Sequence, residues 1–585
     1  MARRRLPGGR PDAHRGAAAD RDADRFRRAH RRGRLAVSGY DVVVVGLGAA
    51  GTIATRRLAE SGLRVLALEA GGSYASTDFL PDQLLNQRRG ALTSGKTAAE
   101  MPTVRRDVAN VAVRPPFGGL TMNAVGGTKI HSGNGHLRLP PWQFRSRSNL
   151  LERYGEQVLP PEISLADWPV TFDDVVPFYD ELELVHGVSG EPGPERFVGP
   201  RTQPYPNPPL RRSGYNELMT AAASRLGWTP FATPAAIRSR PYGGRGACTY
   251  CGQCVFNGCY ADAKGVLRIE DVLGSRGSVE VRTHARVTRV LTGSDGTATG
   301  VEIVADGSTT TETVRARAVM LAAYTYENVR LLHLSAGGDH PSGLGNSTDQ
   351  LGRHFSTHAF GFAFGSFGGR EMNTWTGSMS QAVSVEEFNA DHVDHTDLGF
   401  VGGGSLLAMM EKLTMLMARQ PPPSAGRWGE GYKRWLAEDF RSMAHVHFWA
   451  DEMPHRDGRL DLDPTHVDPT GTPVLRITKP LLENDARSFA YLAEQGHAWL
   501  REAGASETWS SPYHPFDISP HAFGGARMGD DPATNVTDSW QRLHDAANVY
   551  VLGGATWPSS TGTNPTPTIE ALAMRSAGHL VEELS

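Results

Sequence analysis

The sequence predicts an α/β fold in which a parallel sheet carries a second, sheet-based domain. Three observations point there. A β-branched run, Val42 to Val45, meets a glycine turn at Gly46, Gly48 and Gly51. A further strand-like stretch, Arg64 to Leu68, ends in the acid Glu69. The 585 residues exceed what one core organises, so two intertwined domains are expected.

The glycine unit comes first in the chain and sets the rest. A continuous β-branched run suits a strand buried on both faces, and the glycines after it read as a tight turn and a helix start. Gly46 permits the turn, and Gly48 lets backbone approach a pyrophosphate. Gly51 lets a helix over about Ala49 to Ser61 pack on the strand with its N-terminal N–H groups facing the phosphates. Glycine is 66 of 585 residues, so the spacing alone recurs roughly once by chance; its context gives it meaning. A carboxylate at Glu69 accepts hydrogen bonds from a ribose 2′-OH and repels a 2′-phosphate, which favours FAD or NAD over NADP.

Composition narrows the class. The formal net charge of −3 gives no support for a nucleic-acid partner, and no run of 18 or more apolar residues suggests a membrane span. Residues 1–39 carry twelve arginines against four aspartates and almost no aliphatic side chains. Such a tail cannot fold alone, and it reads as disordered or as a start assigned too early. No apolar h-region follows Arg3-Arg4-Arg5, so an export signal is not expected and a cytoplasmic location is.

From Ser73 to Asn123 prolines at 81, 102, 115 and 116 punctuate a polar excursion. Asn123-Ala-Val-Gly126-Gly127-Thr-Lys-Ile-His131-Ser-Gly-Asn-Gly-His136 follows, dense enough in glycine for backbone N–H groups to line a bulky ligand. After Asp167-Trp-Pro, an N-cap at Thr171 or Asp173 opens a helix that Gly187 ends. Another helix is expected from about Ser213 to Leu226. Short strands over 279–283, 287–291, 300–304 and 314–321 lead into a helix start after Leu321. From Gly352 to Pro512 aromatics and histidines alternate along strands such as Ala444 to Trp449, and one long helix spans Leu482 to Ala503. This is the candidate substrate domain. The tail holds His521-Ala-Phe-Gly-Gly-Ala-Arg-Met-Gly, a strand at Asn548 to Leu552, Gly553 through Asn564-Pro-Thr566, and a closing helix over Ile569 to Glu583.

All four cysteines, Cys248, Cys251, Cys254 and Cys259, fall in one twelve-residue window. Thiolates at this spacing suit an iron–sulfur cluster or a structural zinc; buried thiols or disulfides packing near the cofactor are the third reading.

Together these blocks resemble the glucose–methanol–choline (GMC) flavoprotein family, and the resemblance covers nearly everything after Tyr40. Asp167-Trp-Pro, the Cys-x-x-Cys-Gly-x-Cys run and Arg-Met-Gly are similar to the branch of pyranose oxidases, glycoside 3-oxidases and 3-dehydrogenases, and the gluconate and fructose dehydrogenase flavoprotein subunits. The resemblance implies a Rossmann-type FAD-binding domain with a discontinuous α+β substrate-binding domain. The FAD domain would comprise residues 40–165, 241–350 and 515–585, and the substrate domain 166–240 and 351–514.

It further implies that Gly46, Gly48 and Gly51 hold the pyrophosphate of FAD and Glu69 its adenosine ribose, with Val287 at the adenine. Gly126, Gly127, Gly553 and Thr566 would lie along the pyrophosphate and isoalloxazine. His131 occupies the offset at which that branch joins histidine to the FAD 8α-methyl group, although its setting here, Lys129-Ile130-His131-Ser132, differs from the branch's usual one. The catalytic pair falls on His521 and Asn564. Imidazole, with a pKa near 6.5, is a suitable base for an alcohol proton, and an asparagine amide can hold the substrate oxygen. The expected reaction is oxidation of a secondary hydroxyl of a sugar or glycoside, with O2 or an electron-transfer protein as final acceptor. A sterol or polyol substrate, or a lyase keeping FAD for structure, are the alternatives.

Overall fold

Why the glycine unit can act as a hub is clear from the sheet it enters. The computed structural model describes residues 39–84, 98–114, 121–255, 257–273, 278–308, 310–410, 414–514 and 519–585. The basic tail and the Pro115-Pro116 pair lie outside the described residues. β1 (Tyr40–Val45) runs parallel to β2 (Val65–Leu68) on one side and to the second half of β8 (Thr311–Leu321) on the other. β5 (Val279–Arg282) extends the parallel set beyond β2, and β17 (Val549–Val551) beyond β8. The first half of β8 closes an antiparallel meander with β6 (Ala285–Thr292) and β7 (Ala298–Ala305). Strand order therefore reverses at β1, with β2 and β8 to either side, the switch point where such sheets bind ligands beyond their carboxyl ends.

The valine run is buried on both faces, as a central parallel strand requires. Val43 and Val45 enter one core, while Val42 and Val44 face helices α1 (Ala49–Ser61) and α6 (Thr566–Leu584). Ala50 and Ala54 of α1 meet Ala573 and Ala577 of α6, small residues that let two helices share one face of the sheet. The last helix begins three residues before the sequence-based estimate. Pro565 is its N-cap and Pro567 sits in its first turn, where a missing N–H costs nothing.

The second sheet is antiparallel, ordered β15-β9-β12-β11-β10-β4 with β16 added to β9. Its members are β4 (Phe231–Ala232), β9 (Ser356–Ser366), β10 (Ala382–Val385), β11 (Gly404–Met409), β12 (Met443–Asp451), β15 (Glu507–Ser510) and β16 (Ala522–Phe523). Along β12 the side chains alternate. Ala444, Val446, Phe448 and Ala450 pack beneath α5 (Glu483–Glu502), where Phe489, Leu492 and Trp499 meet them, and α3 (Gly214–Arg225) closes the same core. The odd-numbered residues of β12 face the other way. A smaller sheet joins β3 (Thr103–Arg105), β13 (Arg459–Val467) and β14 (Pro473–Thr478).

Local signals of helix ends agree with the sequence. α2 (Phe172–His186) starts at the Thr171 N-cap, whose hydroxyl and the Asp174 carboxylate form a capping box, and it stops at Gly187 in the left-handed conformation.

Candidate active site

One continuous cavity of ≈ 330 Å³ runs from the carboxyl ends of β1 and β8 to the odd-numbered face of β12. Of the sequence-predicted residues, Gly46, Gly48, Glu69, Gly127, His131, Val287, His521, Gly553, Asn564 and Thr566 all line it. Gly51, Gly126 and the four cysteines are not among its lining residues. A Cβ on Gly51 would sit 1.8 Å from the Gly46 carbonyl oxygen, so that glycine serves the contact of α1 with the turn. Gly126 supports the wall from behind: its N–H donates to the Leu47 carbonyl at 2.7 Å with φ of +93°.

Glu69 is buried, and burial raises its carboxyl pKa. Two backbone donors oppose that shift: Leu47 N–H gives to Oε2 and Gly71 N–H to Oε1, each at 2.8 Å. The acid thus ties the glycine turn to the end of β2 while facing the cavity. At this end Arg330 of helix α4 (Thr325–Leu334) reaches Asp468 at 2.7 Å, and both line the cavity with Val287 and Thr470.

His521 lies one residue before β16, whose pairing to Ser356 and Thr357 brings the imidazole against the start of β9. Its partly exposed side chain lines the cavity, and its Nδ1 is 2.9 Å from Nδ1 of His358. Burial pushes the His521 pKa down to about 3, and that of His358 well below the usual histidine value, so both rings are neutral near pH 7. Asn564 is fixed by the glycine-rich loop: its Nδ2 donates to Gly135 O at 2.8 Å, and its Oδ1 accepts from Leu137 N–H at 3.3 Å. The loop that borders the cofactor side therefore also sets the second residue of the predicted pair.

The reaction end has an aromatic wall. Phe360, His447 and Trp449 line it, with ring centroids of Phe360 and Trp449 at 5.1 and 6.0 Å from that of His521. Sequence reading missed His358, His447 and Trp449 as site residues. Their signal was the alternation His358-x-Phe360-x-Phe362 facing His445-x-His447-x-Trp449, which becomes one surface only when β9 and β12 pair.

Behind the glycine-rich loop, Lys129 Nζ donates to Glu570 Oε1 at 2.6 Å, and His186 Nε2 lies 3.0 Å from Glu570 Oε2. The sequence pointed to none of this buried trio. Cys248, Cys254 and Cys259 pack in an apolar cluster with Leu210, Ile237 and Met379. Among the described residues no group of three or more His, Cys, Asp or Glu side chains is placed to hold a metal ion. Nor, among them, is any helix long and apolar enough to cross a membrane.

A Rossmann-type sheet joined to an antiparallel sheet, with a cavity-lining histidine where they meet, fits a nucleotide-dependent enzyme. The comparisons define which. Residues 173–360 and 454–573 match the N- and C-terminal models of the GMC oxidoreductases. The gluconate 2-dehydrogenase flavoprotein of Pantoea cypripedii is 30% identical over 93% of this chain and 94% of its own length. Paromamine 6′-oxidase of Streptomyces fradiae is also 30% identical, over 98% of this chain and 94% of its own. The crystal structure of pyridoxine 4-oxidase from Mesorbium loti superposes with a TM-score of 0.60 at 16% identity, covering 92% of this chain and 99% of that one. This chain belongs to the GMC oxidoreductase family, and is an oxidoreductase acting on CH–OH groups.

Membership implies FAD, and the cavity fits it. A Cβ at Gly48 or at Gly553 would meet no protein atom within 4 Å, so both glycines leave room on the cavity side. Thr121 Oγ1, Asn134 Oδ1 and His136 Nε2 are buried lining atoms with no hydrogen-bond partner among the described residues. A polar, multi-ring ligand supplies such partners.

Proposed function

We propose that this chain oxidises a secondary hydroxyl of a sugar or glycoside to a ketone. FAD, when bound, supplies the acceptor for the hydride leaving the carbinol carbon. The proposed base is His521. Its Nδ1 faces His358, and with the shared proton on His521 Nδ1 its Nε2 is the nitrogen that takes the hydroxyl proton. Asn564, clamped to Gly135 and Leu137, holds the same oxygen in place during the transfer. The observation that carries this reading is His521 beside an aromatic wall in the same cavity as the glycine turn, with burial lowering its pKa. An uncharged imidazole accepts a proton at neutral pH, whereas a protonated one cannot.

Gly46, Gly48 and Gly127 would border the pyrophosphate, Glu69 the ribose, Val287 the adenine, and Gly553 with Thr566 the ring system. Buried His131 is the proposed point of covalent attachment. Acid precipitation tests it: yellow colour retained in the pellet supports the bond, and colour wholly in the supernatant removes it. The names of the gluconate dehydrogenase and paromamine oxidase relatives support the sugar-like substrate class.

The test of the reaction is anaerobic. Absorbance near ~450 nm should bleach when methyl β-D-glucopyranoside is added, as a flavin that accepts hydride must. Repeating the addition in air then separates an oxidase from a dehydrogenase. Flavin that stays oxidised with every sugar and glycoside tried overturns the substrate reading.

A further inference from the structure

We propose that His447 and Trp449 form a subsite that reads the hydroxyl neighbouring the one oxidised, so that the enzyme selects uncharged vicinal diols. The inference deepens the reading above and rests on it. Its starting point is an anomaly of hydrogen bonding. His447 is 3% exposed and Trp449 5%, both line the cavity, and neither His447 ring nitrogen nor Trp449 Nε1 has a hydrogen-bond partner among the described residues. Buried polar side-chain atoms in folded proteins are nearly always paired, so three unpaired atoms on adjacent odd-numbered positions of one strand call for a ligand.

The placement suits a substrate better than a cofactor. His447 and Trp449 project from β12 toward Phe360, and their centroids are 5.7 Å apart. Trp449 meets the His521 ring edge-on, at an interplanar angle of 79°. The polar atoms therefore flank the proposed base on the side of the substrate sheet. His447 is also held rigidly, stacked on Phe362 at 4.5 Å with the planes 8° apart, so its ring cannot swing to find a protein partner without losing that stack.

The chemistry of these atoms selects the ligand. A neutral imidazole has one N–H donor and one acceptor nitrogen, and an indole has one donor. A hydroxyl both donates and accepts, so it can pair with either His447 nitrogen, while a second oxygen can accept from Trp449 Nε1. An anion would match poorly, because burial among His445 and His521 keeps His447 uncharged. Leu407 and Met409 of the neighbouring strand complete an apolar floor on which the C–H face of a ring can rest.

The experiment compares trans-cyclohexane-1,2-diol, cyclohexanol and methyl β-D-glucopyranoside as reductants of the purified flavoprotein under anaerobic conditions. The variants are His447→Phe, which keeps the stack on Phe362, and Trp449→Phe. Wild-type enzyme should be reduced by the diol with a kcat/KM at least about 100-fold above cyclohexanol, because a site built to pair a hydroxyl rejects the analogue lacking it. His447→Phe should bring that ratio to within about tenfold by slowing the diol more than it slows cyclohexanol; Trp449→Phe should move it the same way. A wild-type ratio near one overturns the proposal without need of any variant. So does a wild-type ratio retained in both variants.

A flavin difference spectrum on adding methyl β-D-glucopyranoside separates this inference from the reaction. Binding without reduction that His447→Phe abolishes would retain the subsite and sink the oxidation. Reduction that neither variant changes would do the reverse.

Discussion

His358 and His521, 163 residues apart in the chain, face each other through Nδ1 at 2.9 Å. Two neutral imidazoles can share that contact in only two ways. With the proton on His521 Nδ1, its Nε2 carries a lone pair and can act as a base; with the proton on His358 Nδ1, His521 carries its own on Nε2 and cannot. The tautomer of His358 therefore decides whether the proposed base is competent. Replacing His521 by Ala should lower the rate of flavin reduction by about 10²–10⁴-fold, the contribution expected of a positioned base, with the flavin spectrum retained. His358→Phe should have a smaller effect, on the order of 10–100-fold, as expected when an orienting partner is removed from an imidazole. Stopped-flow bleaching checks both; equal rates in His358→Phe and the parent would show that the contact orients nothing.

Burial holds the His521 pKa at about 3. A base remains competent above its own pKa, so flavin reduction should stay level from pH 8 to about pH 5 instead of falling near the ordinary histidine value of about 6.5. A limb centred at the ordinary value in single-turnover kinetics would show that the bound enzyme does not keep this ring desolvated.

Gly48 and Gly51 separate binding from folding. Gly48 has φ −71° and no protein atom near its missing Cβ, whereas a Cβ on Gly51 would lie 1.8 Å from a backbone oxygen. Gly48→Ala should leave apoprotein stability within about 0.5 kcal/mol of the parent, the usual range for a substitution that disturbs no contact, yet purify without flavin. Gly51→Ala should lower the stability of the apoprotein itself. Thermal melts and the flavin-to-protein absorbance ratio distinguish the two.

Asp451 ends β12 opposite His358, and its carboxylate accepts a hydrogen bond from the Ser560 hydroxyl at 3.3 Å. Burial lifts its pKa to about 8. The unfolded chain binds that proton only below about pH 4, so the folded state holds more protons between about pH 4 and 8, and stability drains as pH rises through that window. Asp451→Asn removes the titration. Its melting temperature relative to the parent should therefore climb steadily from pH 4 to pH 8; a pH-independent difference would mean the carboxyl is ionised throughout.

The amino-acid sequence by itself determined the glycine turn and its helix, down to Ala49 and Ser61, because a β-branched run followed by glycines has few alternative conformations. It determined the Thr171 cap and the Gly187 stop for the same local reason. It also marked His521 and Asn564 through the motifs around them. Only the tertiary structure decided what surrounds those two residues. His358 reaches His521 because β16 pairs with the start of β9, and Asn564 is held by carbonyl and amide groups more than 400 positions earlier in the chain. His447 and Trp449 look like ordinary alternating strand residues until β9 and β12 form one face. A period of two says which residues share a side of a strand. Whether that side meets solvent, a core or a cavity depends on what packs against it, and in this protein that is settled by contacts between segments far apart in the chain.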